Sequence, residues 1–263
     1  MKGLVVTLFA IALSTLGAGA QAGLEIIAHR GASSMAPENT LAAINLAWKL
    51  SADAVEIDIY LTKDGRTVVM HDSSTARTTG VDMKPSDHTL DELRSLDAGK
   101  WKGEQWAGEK IPTLNEVLQT IPRGKRLLVE IKCGPEVLPE FFNALKHSRK
   151  SDKQVAVISF DAKVIKAVKS ERPSLQAYLL CSPGLDGAKG LIQTAQSINA
   201  DGLDVCATDA VNAEFVKQCR DAKMRVYVWT VDDEATATRM AALKVDGITT
   251  NKPKEIKQLL RRQ

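Results

Sequence analysis

Short apolar or alternating runs, each followed by a stretch of helical spacing, recur along this chain. They fall at residues 24–28, 54–59, 127–131, 155–158, 175–180, 202–205, 226–229 and 247–249. Runs this short, bounded by polar residues, predict strands buried on both faces. The stretches 41–50, 114–120, 137–149, 162–170, 185–198, 210–222, 234–243 and 254–261 predict the helices between and after them. Alternation with short links implies parallel strands and right-handed crossovers. Eight such units predict an α/β fold, a closed TIM (β/α)8 barrel. No Gly-x-Gly-x-x-Gly follows the first strand, which argues against an open dinucleotide-binding sheet.

The second strand differs from the others. Val55, Ile57 and Ile59 occupy one face and Glu56 and Asp58 the other, because side chains alternate along a strand. Two adjacent carboxylates must meet water, a basic group or a cation, since burying them unpaired is costly. Thr62-Lys63-Asp64-Gly65 predicts a tight turn, and Val68-Val69-Met70 the returning arm. A turn that short allows only antiparallel pairing, which brings His71 back to the level of Glu56 and Asp58. The hairpin opens a small insertion after the second strand, about residues 60–112, that carries Trp101 and Trp106. On the rim of a barrel it would act as a lid or substrate-selecting cap.

Composition narrows the class. The 263 residues are 44% hydrophobic and 25% charged, as in ordinary globular domains, and the net charge is only +3. That balance gives no reason to expect nucleic acid or a membrane surface as partner, and it leaves a small molecule. Lys2, the apolar stretch 4–16 and Ala20-Gln21-Ala22 predict a signal peptide over residues 1–22, leaving a barrel domain over 23–263. The protein would then be secreted or periplasmic, with no stable membrane insertion after cleavage; an uncleaved anchor is the alternative, since residues 3–22 carry no charge. Oligomeric state is not encoded in any pattern. Cys133, Cys181, Cys206 and Cys219 show no zinc spacing. Free thiols and one bridge both fit, and Cys181 with Cys206, ending neighbouring strands, is the pair to consider.

In such barrels the functional side chains sit at the C-terminal strand ends. The first three strands end in His29-Arg30, Glu56 with Asp58, and Glu130 with Lys132, while Ser159, Cys181, Asp204, Trp229 and Asn251 end others. Neighbouring strands lie about 4.8 Å apart, so three carboxylates can converge. An all-oxygen set suits one divalent cation, Ca2+ or Mg2+, better than Zn2+. His29 and His71, two of four histidines, stand beside it as an acid–base pair. Arg30 and Lys132 match a phosphate oxyanion. Together these groups describe metal-assisted hydrolysis of a phosphoric ester. Duller readings stand beside this one: a solvated face for Glu56 and Asp58, a structural ion pair for Glu130 and Lys132, barrel packing for Trp229 rather than a wall for the alcohol. Glu38 would orient Arg30, or belong to a helix start capped by Asn39 or Thr40. A glycoside-cleaving pair, Glu56 and Glu130, leaves the histidines and cations unexplained.

Ala28-His29-Arg30-Gly31, Pro37-Glu38-Asn39-Thr40, Glu56-Ile57-Asp58, Leu61-Thr62-Lys63-Asp64-Gly65 and His71-Asp72 carry a resemblance. With Arg77-Thr78-Thr79, Leu96-Asp97-Ala98-Gly99, Ile111-Pro112-Thr113-Leu114, Glu130-Ile131-Lys132, Ser159-Phe160 and Trp229-Thr230-Val231, the chain resembles the glycerophosphodiester phosphodiesterase family. The resemblance covers nearly all of the chain after residue 22. It implies a TIM barrel that cleaves glycerophosphodiesters to glycerol 3-phosphate and an alcohol, with a phospholipase-type lipid phosphodiesterase as the alternative. It further implies catalysis by His29 and His71, one divalent cation held by Glu56, Asp58 and Glu130, and phosphate contacts from Arg30 and Lys132. Gly247-Ile248-Thr249-Thr250-Asn251-Lys252-Pro253 departs from the family's Thr-Asp-x-Pro by an amide at Asn251, a change expected to touch peripheral contacts only.

Overall fold

A computed structural model describes residues 23–184 and 188–262. The predicted leader, 1–22, lies outside the described residues, as does the predicted helix start at 185–187. Nine strands form one sheet: β1 (Glu25–Ala28), β2 (Ala54–Leu61), β3 (Thr67–Val69), β4 (Arg126–Ile131), β5 (Val155–Ser159), β6 (Gln176–Cys181), β7 (Gly202–Cys206), β8 (Arg225–Trp229) and β9 (Gly247–Thr250). Their order is β1-β9-β8-β7-β6-β5-β4-β2-β3, and a parallel β1–β2 pairing closes the ring. Eight parallel strands therefore make the barrel, and β3 is the hairpin arm folded back on β2.

The helices are α1 (Leu41–Lys49), α2 (Ala76–Thr79), α3 (Leu90–Arg94), α4 (Leu114–Thr120), α5 (Leu138–Ser148), α6 (Ala162–Glu171), α7 (Lys189–Ser197), α8 (Ala213–Asp221), α9 (Glu234–Ala242) and α10 (Pro253–Leu260). All but α2 and α3 surround the barrel. Thr40, Thr113, Asp161, Asn212 and Asp233 cap their helices by accepting a backbone N–H. Such caps satisfy donors that would otherwise be orphaned at the functional end, where each strand passes into its helix.

Strand alternation sorts the core into two layers. Val55, Ile57, Ile59, Leu127, Val129 and Ile131 pack outward against the helices. Ile27, Ala54, Leu128, Ala156, Tyr178 and Tyr227 fill the interior, with the two tyrosine rings 4.8 Å apart. Each fully buried large side chain contributes about 1.5–3 kcal/mol, so a one-residue slip of β2 would exchange three buried aliphatics for two charges.

The insertion has its own small core of Val68, Met70, Leu93, Ala98 and Ile111. Asp97 accepts from the backbone N–H of Gly99, Lys100 and Gly108, and Arg94 grips Glu116 of α4 in a bidentate pair. Lys102 Nζ reaches the carbonyl of Ser33 at 2.8 Å, tying the insertion to the β1–α1 loop.

Of the two readings left open for the cysteines, free thiols hold: all four are free. Cys181 packs outward in register with Val205, whereas Cys206 shares the register and the inner side of Trp229. Alternation thus puts the two sulfurs on opposite faces of the barrel wall, and no bridge joins them.

Candidate active site

The acids come together as their spacing demands. Asp58 pairs with Glu130 in the β2–β4 register, and Glu56 lies two residues back on the same face. A carboxylate oxygen from each of Glu56, Asp58 and Glu130 lies within 4.8 Å of the others. Glu56 and Asp58 are buried, and Asp58 Oδ1 has no hydrogen-bond partner. Burial, then repulsion from Asp58, pushes the Glu130 carboxyl up to about 7, and the same two causes raise Glu56. Three crowded carboxylates with an orphaned oxygen are a set that a cation would complete, so the residues fit a hard divalent ion.

Cations border the cluster. Lys132 Nζ lies 3.0 Å from Glu130 and 3.6 Å from Asp58. Burial works against its charge, but Asp58 and Glu130 hold its pKa above the ordinary lysine value. Arg30 donates its backbone N–H to Glu56, approaches Asp58 with Nε at 3.5 Å and gives Nη1 to Glu38 at 2.9 Å. Arg30 has φ +55 and Gly31 φ +84, so the chain turns sharply past the barrel mouth. Of the helix-start residues, Glu38 orients Arg30, Thr40 is the cap, and Asn39 clamps Asp58 from both sides.

The histidines come from different elements, His29 from the end of β1 and His71 from just past the β3 arm. Antiparallel pairing of β2 and β3 matches Ile59 with Val69, and Met70 N–H donates to the Asp58 carbonyl. Continued by two residues, this register sets His71 beside Ile57. His71 Nδ1 lies 2.8 Å from Asp72 Oδ1, and Asp72 Oδ2 accepts from Arg77. His29 Nδ1 lies 2.8 Å from Asn251 Oδ1. The Asn251 amide donates Nδ2 to Asp232, and Ser33 Oγ also donates to Oδ1. Oδ1 is therefore the acceptor, which puts the His29 proton on Nδ1 and leaves Nε2 unprotonated. Burial, then the charge of Arg30, lowers the His29 pKa to about 4.

One cavity of about 110 Å3 joins these groups: His29, Arg30, Glu56, His71, Glu130 and Lys132 line one side. Ile158, Leu180, Asp204, Trp229 and Thr249 line the other, with Phe160 edge-on to Trp229 at 5.7 Å. Trp229 packs in the barrel wall, its Nε1 donating to the Asp204 carbonyl, and its ring borders the cavity. A larger cavity, about 890 Å3, opens at the opposite barrel end. Several of its charges pair among themselves, as in Glu25–Arg126 and Asp53–Lys257.

Sequence reasoning missed several members. Asn251 is not peripheral but bonded directly to His29, and Asp232 behind it had no motif. Arg77 lay inside a quoted motif with no assigned role. Asp204 offers only its place at a strand end, and Thr249 offers no signal. Ser159, also a strand end, donates Oγ to the Ile131 carbonyl and holds the wall. His88 and His147 bond nearby backbone carbonyls in exposed positions, away from the site.

The family model described as the glycerophosphoryl diester phosphodiesterase family matches residues 29–255. A glycerophosphodiester phosphodiesterase of Caldanaerobacter subterraneus subsp. tengcongensis is 37% identical over 244 residues, 90% of this chain and 98% of that protein. A Bacillus subtilis protein of the same name is 33% identical over 86% of this chain and 83% of its own length. Among solved structures, an Oleispira antarctica phosphodiesterase in complex with the product sn-glycerol-3-phosphate superposes with TM-score 0.84 and 29% identity, covering 90% of this chain and 96% of that one.

Proposed function

The chain belongs to the glycerophosphoryl diester phosphodiesterase family, and on that premise we propose that it hydrolyses glycerophosphodiesters to glycerol 3-phosphate and an alcohol such as choline or ethanolamine. One observation carries this reading. Two carboxylates, Glu56 and Glu130, two imidazoles, an arginine and a lysine from distant parts of the chain face a single cavity at the C-terminal mouth of the barrel, and Asp58 brings a third carboxylate within 4.8 Å of the other two.

Glu56, Asp58 and Glu130 would hold one divalent cation, Ca2+ or Mg2+. When bound it supplies a Lewis acid that offsets charge on the phosphoryl oxygens. Arg30 and Lys132 bind and orient the phosphate from the same rim. His29, neutral and fixed through Nδ1, takes a proton at Nε2 from the attacking oxygen as it bonds to phosphorus. His71, backed by the Asp72 carboxylate, gives a proton to the alcohol oxygen as its bond to phosphorus breaks. The attacking oxygen is water or the glycerol hydroxyl next to the ester, the latter giving a cyclic phosphate that water must then open to release glycerol 3-phosphate. An analogue lacking that hydroxyl separates the two: undiminished turnover rules out the cyclic route.

The described insertion argues against the lipid-cleaving alternative. Its apolar side chains form an internal core, and among its described residues only Val81 and Trp101 are exposed large hydrophobics. The leader-like pattern of residues 1–22 supports export to the periplasm or medium.

The deciding experiment incubates the protein with glycerophosphocholine, with and without chelator, beside a Glu56→Ala variant. Release of glycerol 3-phosphate is expected only from the untreated wild type, with activity returning on addition of Ca2+ or Mg2+. Equal release in all three would remove the metal from the mechanism.

A further inference from the structure

The far wall of the reaction cavity holds two polar atoms that the chemistry above does not use. Asp204 on β7 and Thr249 on β9 are 1% and 2% exposed, and both line the cavity. Asp204 Oδ1 and Thr249 Oγ1 have no hydrogen-bond partner among the described residues. The two strands flank β8, whose Trp229 lies between them, and Leu180 continues the wall on the other side. A buried polar group without a partner is destabilising, so two of them facing one small cavity call for a ligand that completes them.

We propose that Asp204 and Thr249 form a hydroxyl-recognition subsite that binds the glycerol end of the substrate, with Trp229 and Leu180 against its carbon chain. The inference rests on the reading that the acid cluster and its cations take the phosphate. The phosphate end is then fixed near β2 and β4, and the organic end reaches across the mouth toward β7–β9. Burial, then the charge of Glu130, pushes the Asp204 carboxyl up to about 8. A hydroxyl can donate to Asp204 Oδ1 and accept from Thr249 Oγ1, so the two orphaned atoms suit such a partner. A site built to bond a hydroxyl discriminates strongly against an analogue lacking it, because its buried groups are then left unpaired.

The test compares binding of glycerol 3-phosphate with propyl phosphate, which has the same chain without the hydroxyls. Calorimetry on the enzyme supplied with Ca2+ or Mg2+ reads both affinities. Wild type should prefer glycerol 3-phosphate by about tenfold or more, the loss expected per hydrogen bond of about 1.4 kcal/mol. Asp204→Leu and Thr249→Val, which keep the number of side-chain heavy atoms and remove hydrogen bonding, should bring that preference below threefold. Asp204→Asn, which still bonds a hydroxyl, should retain most of it. A preference unchanged in both apolar variants, or absent from wild type, overturns the subsite. Cleavage of glycerophosphocholine by the same wild-type sample is scored separately. Preference without cleavage would sink the enzymatic reading and leave the subsite; cleavage without preference would do the reverse.

Discussion

The guanidinium of Arg77 meets the carboxylate of Glu38 through two hydrogen bonds, 2.9 and 2.7 Å, between residues 39 apart in the chain. Arg77 Nε also donates to Asp72 at 2.6 Å. Glu38 in turn holds Arg30, and Asp72 holds His71. One side chain of the insertion therefore links Arg30 to His71 through Glu38 and Asp72. Burial alone would raise the Glu38 carboxyl, yet hydrogen bonds from Arg77 and the charge of Arg30 hold it below its ordinary value.

Arg77→Ala should lower kcat by about 10–100-fold, the usual cost of removing a partner that orients a functional group. Because the Arg77 side chain is 43% exposed, the thermal midpoint should move little. Arg77→Lys cannot reproduce the fork and should recover only part of the loss. Steady-state kinetics beside a melting curve checks this; wild-type kcat in the alanine variant would refute the linking role.

His29 sets the pH expectation. A base must be unprotonated to act, and a pKa lowered to about 4 keeps it so well below the ordinary imidazole value of 6.5. With cation at saturation, kcat/KM should hold as pH falls through 6.5 and decline only nearer 4 to 5. Asn251→Asp places a carboxylate where the amide oxygen now accepts from Nδ1, which favours the charged ring. The acidic limb should therefore move to higher pH in that variant. A limb that stays put would show that Asn251 does not tune His29.

Gly31 and Gly65 both have positive φ, +84 and +72, but their surroundings differ. A Cβ at Gly31 would stand 2.6 Å from the Ala43 backbone, whereas at Gly65 it meets nothing within 4 Å. Gly65→Ala should cost only the backbone conformation, about 1 kcal/mol. Gly31→Ala adds overpacking against α1, about 1–3 kcal/mol more, and displaces His29 and Arg30. Chemical denaturation and turnover of the two variants test this; equal costs would mean that the contact relaxes freely.

Cation binding should stabilise the fold, and more so as pH rises. Glu56 and Glu130 have raised pKa values, so without a cation the folded state holds protons that the unfolded chain releases. That works against the fold as pH climbs from about 4.5 toward the value of about 7 at Glu130. A bound divalent ion replaces those protons, so proton competition fades over the same window. The rise in thermal midpoint on adding Ca2+ or Mg2+ should therefore grow between about pH 4.5 and 7. A constant rise would place the ion elsewhere.

Much of this was legible in the chain, for local reasons. A strand alternates with period two, so Glu56-Ile57-Asp58 and Glu130-Ile131-Lys132 fixed which groups share a face before any neighbour was known. The chain reversal after Leu61 fixed where His71 returns, although the loop is longer than the four residues first read: Thr62 N–H bonds the Arg66 carbonyl and Gly65 N–H the Thr62 carbonyl. Spacing could not tell that Cys181 and Cys206 would end on opposite faces, because that depends on how two separate strands register.

By itself the sequence determined the eight strand–helix units, the two acidic pairs and the histidine that follows the hairpin, since each follows from turn length or side-chain period within about ten residues. Only the tertiary structure decided what completes them. His29 finds Asn251 222 residues away because β1 pairs with β9 when the barrel closes, and that closure also brings Asp204 and Thr249 around one cavity. No local pattern encodes such contacts, because they arise from the pairing of elements that are neighbours only in space.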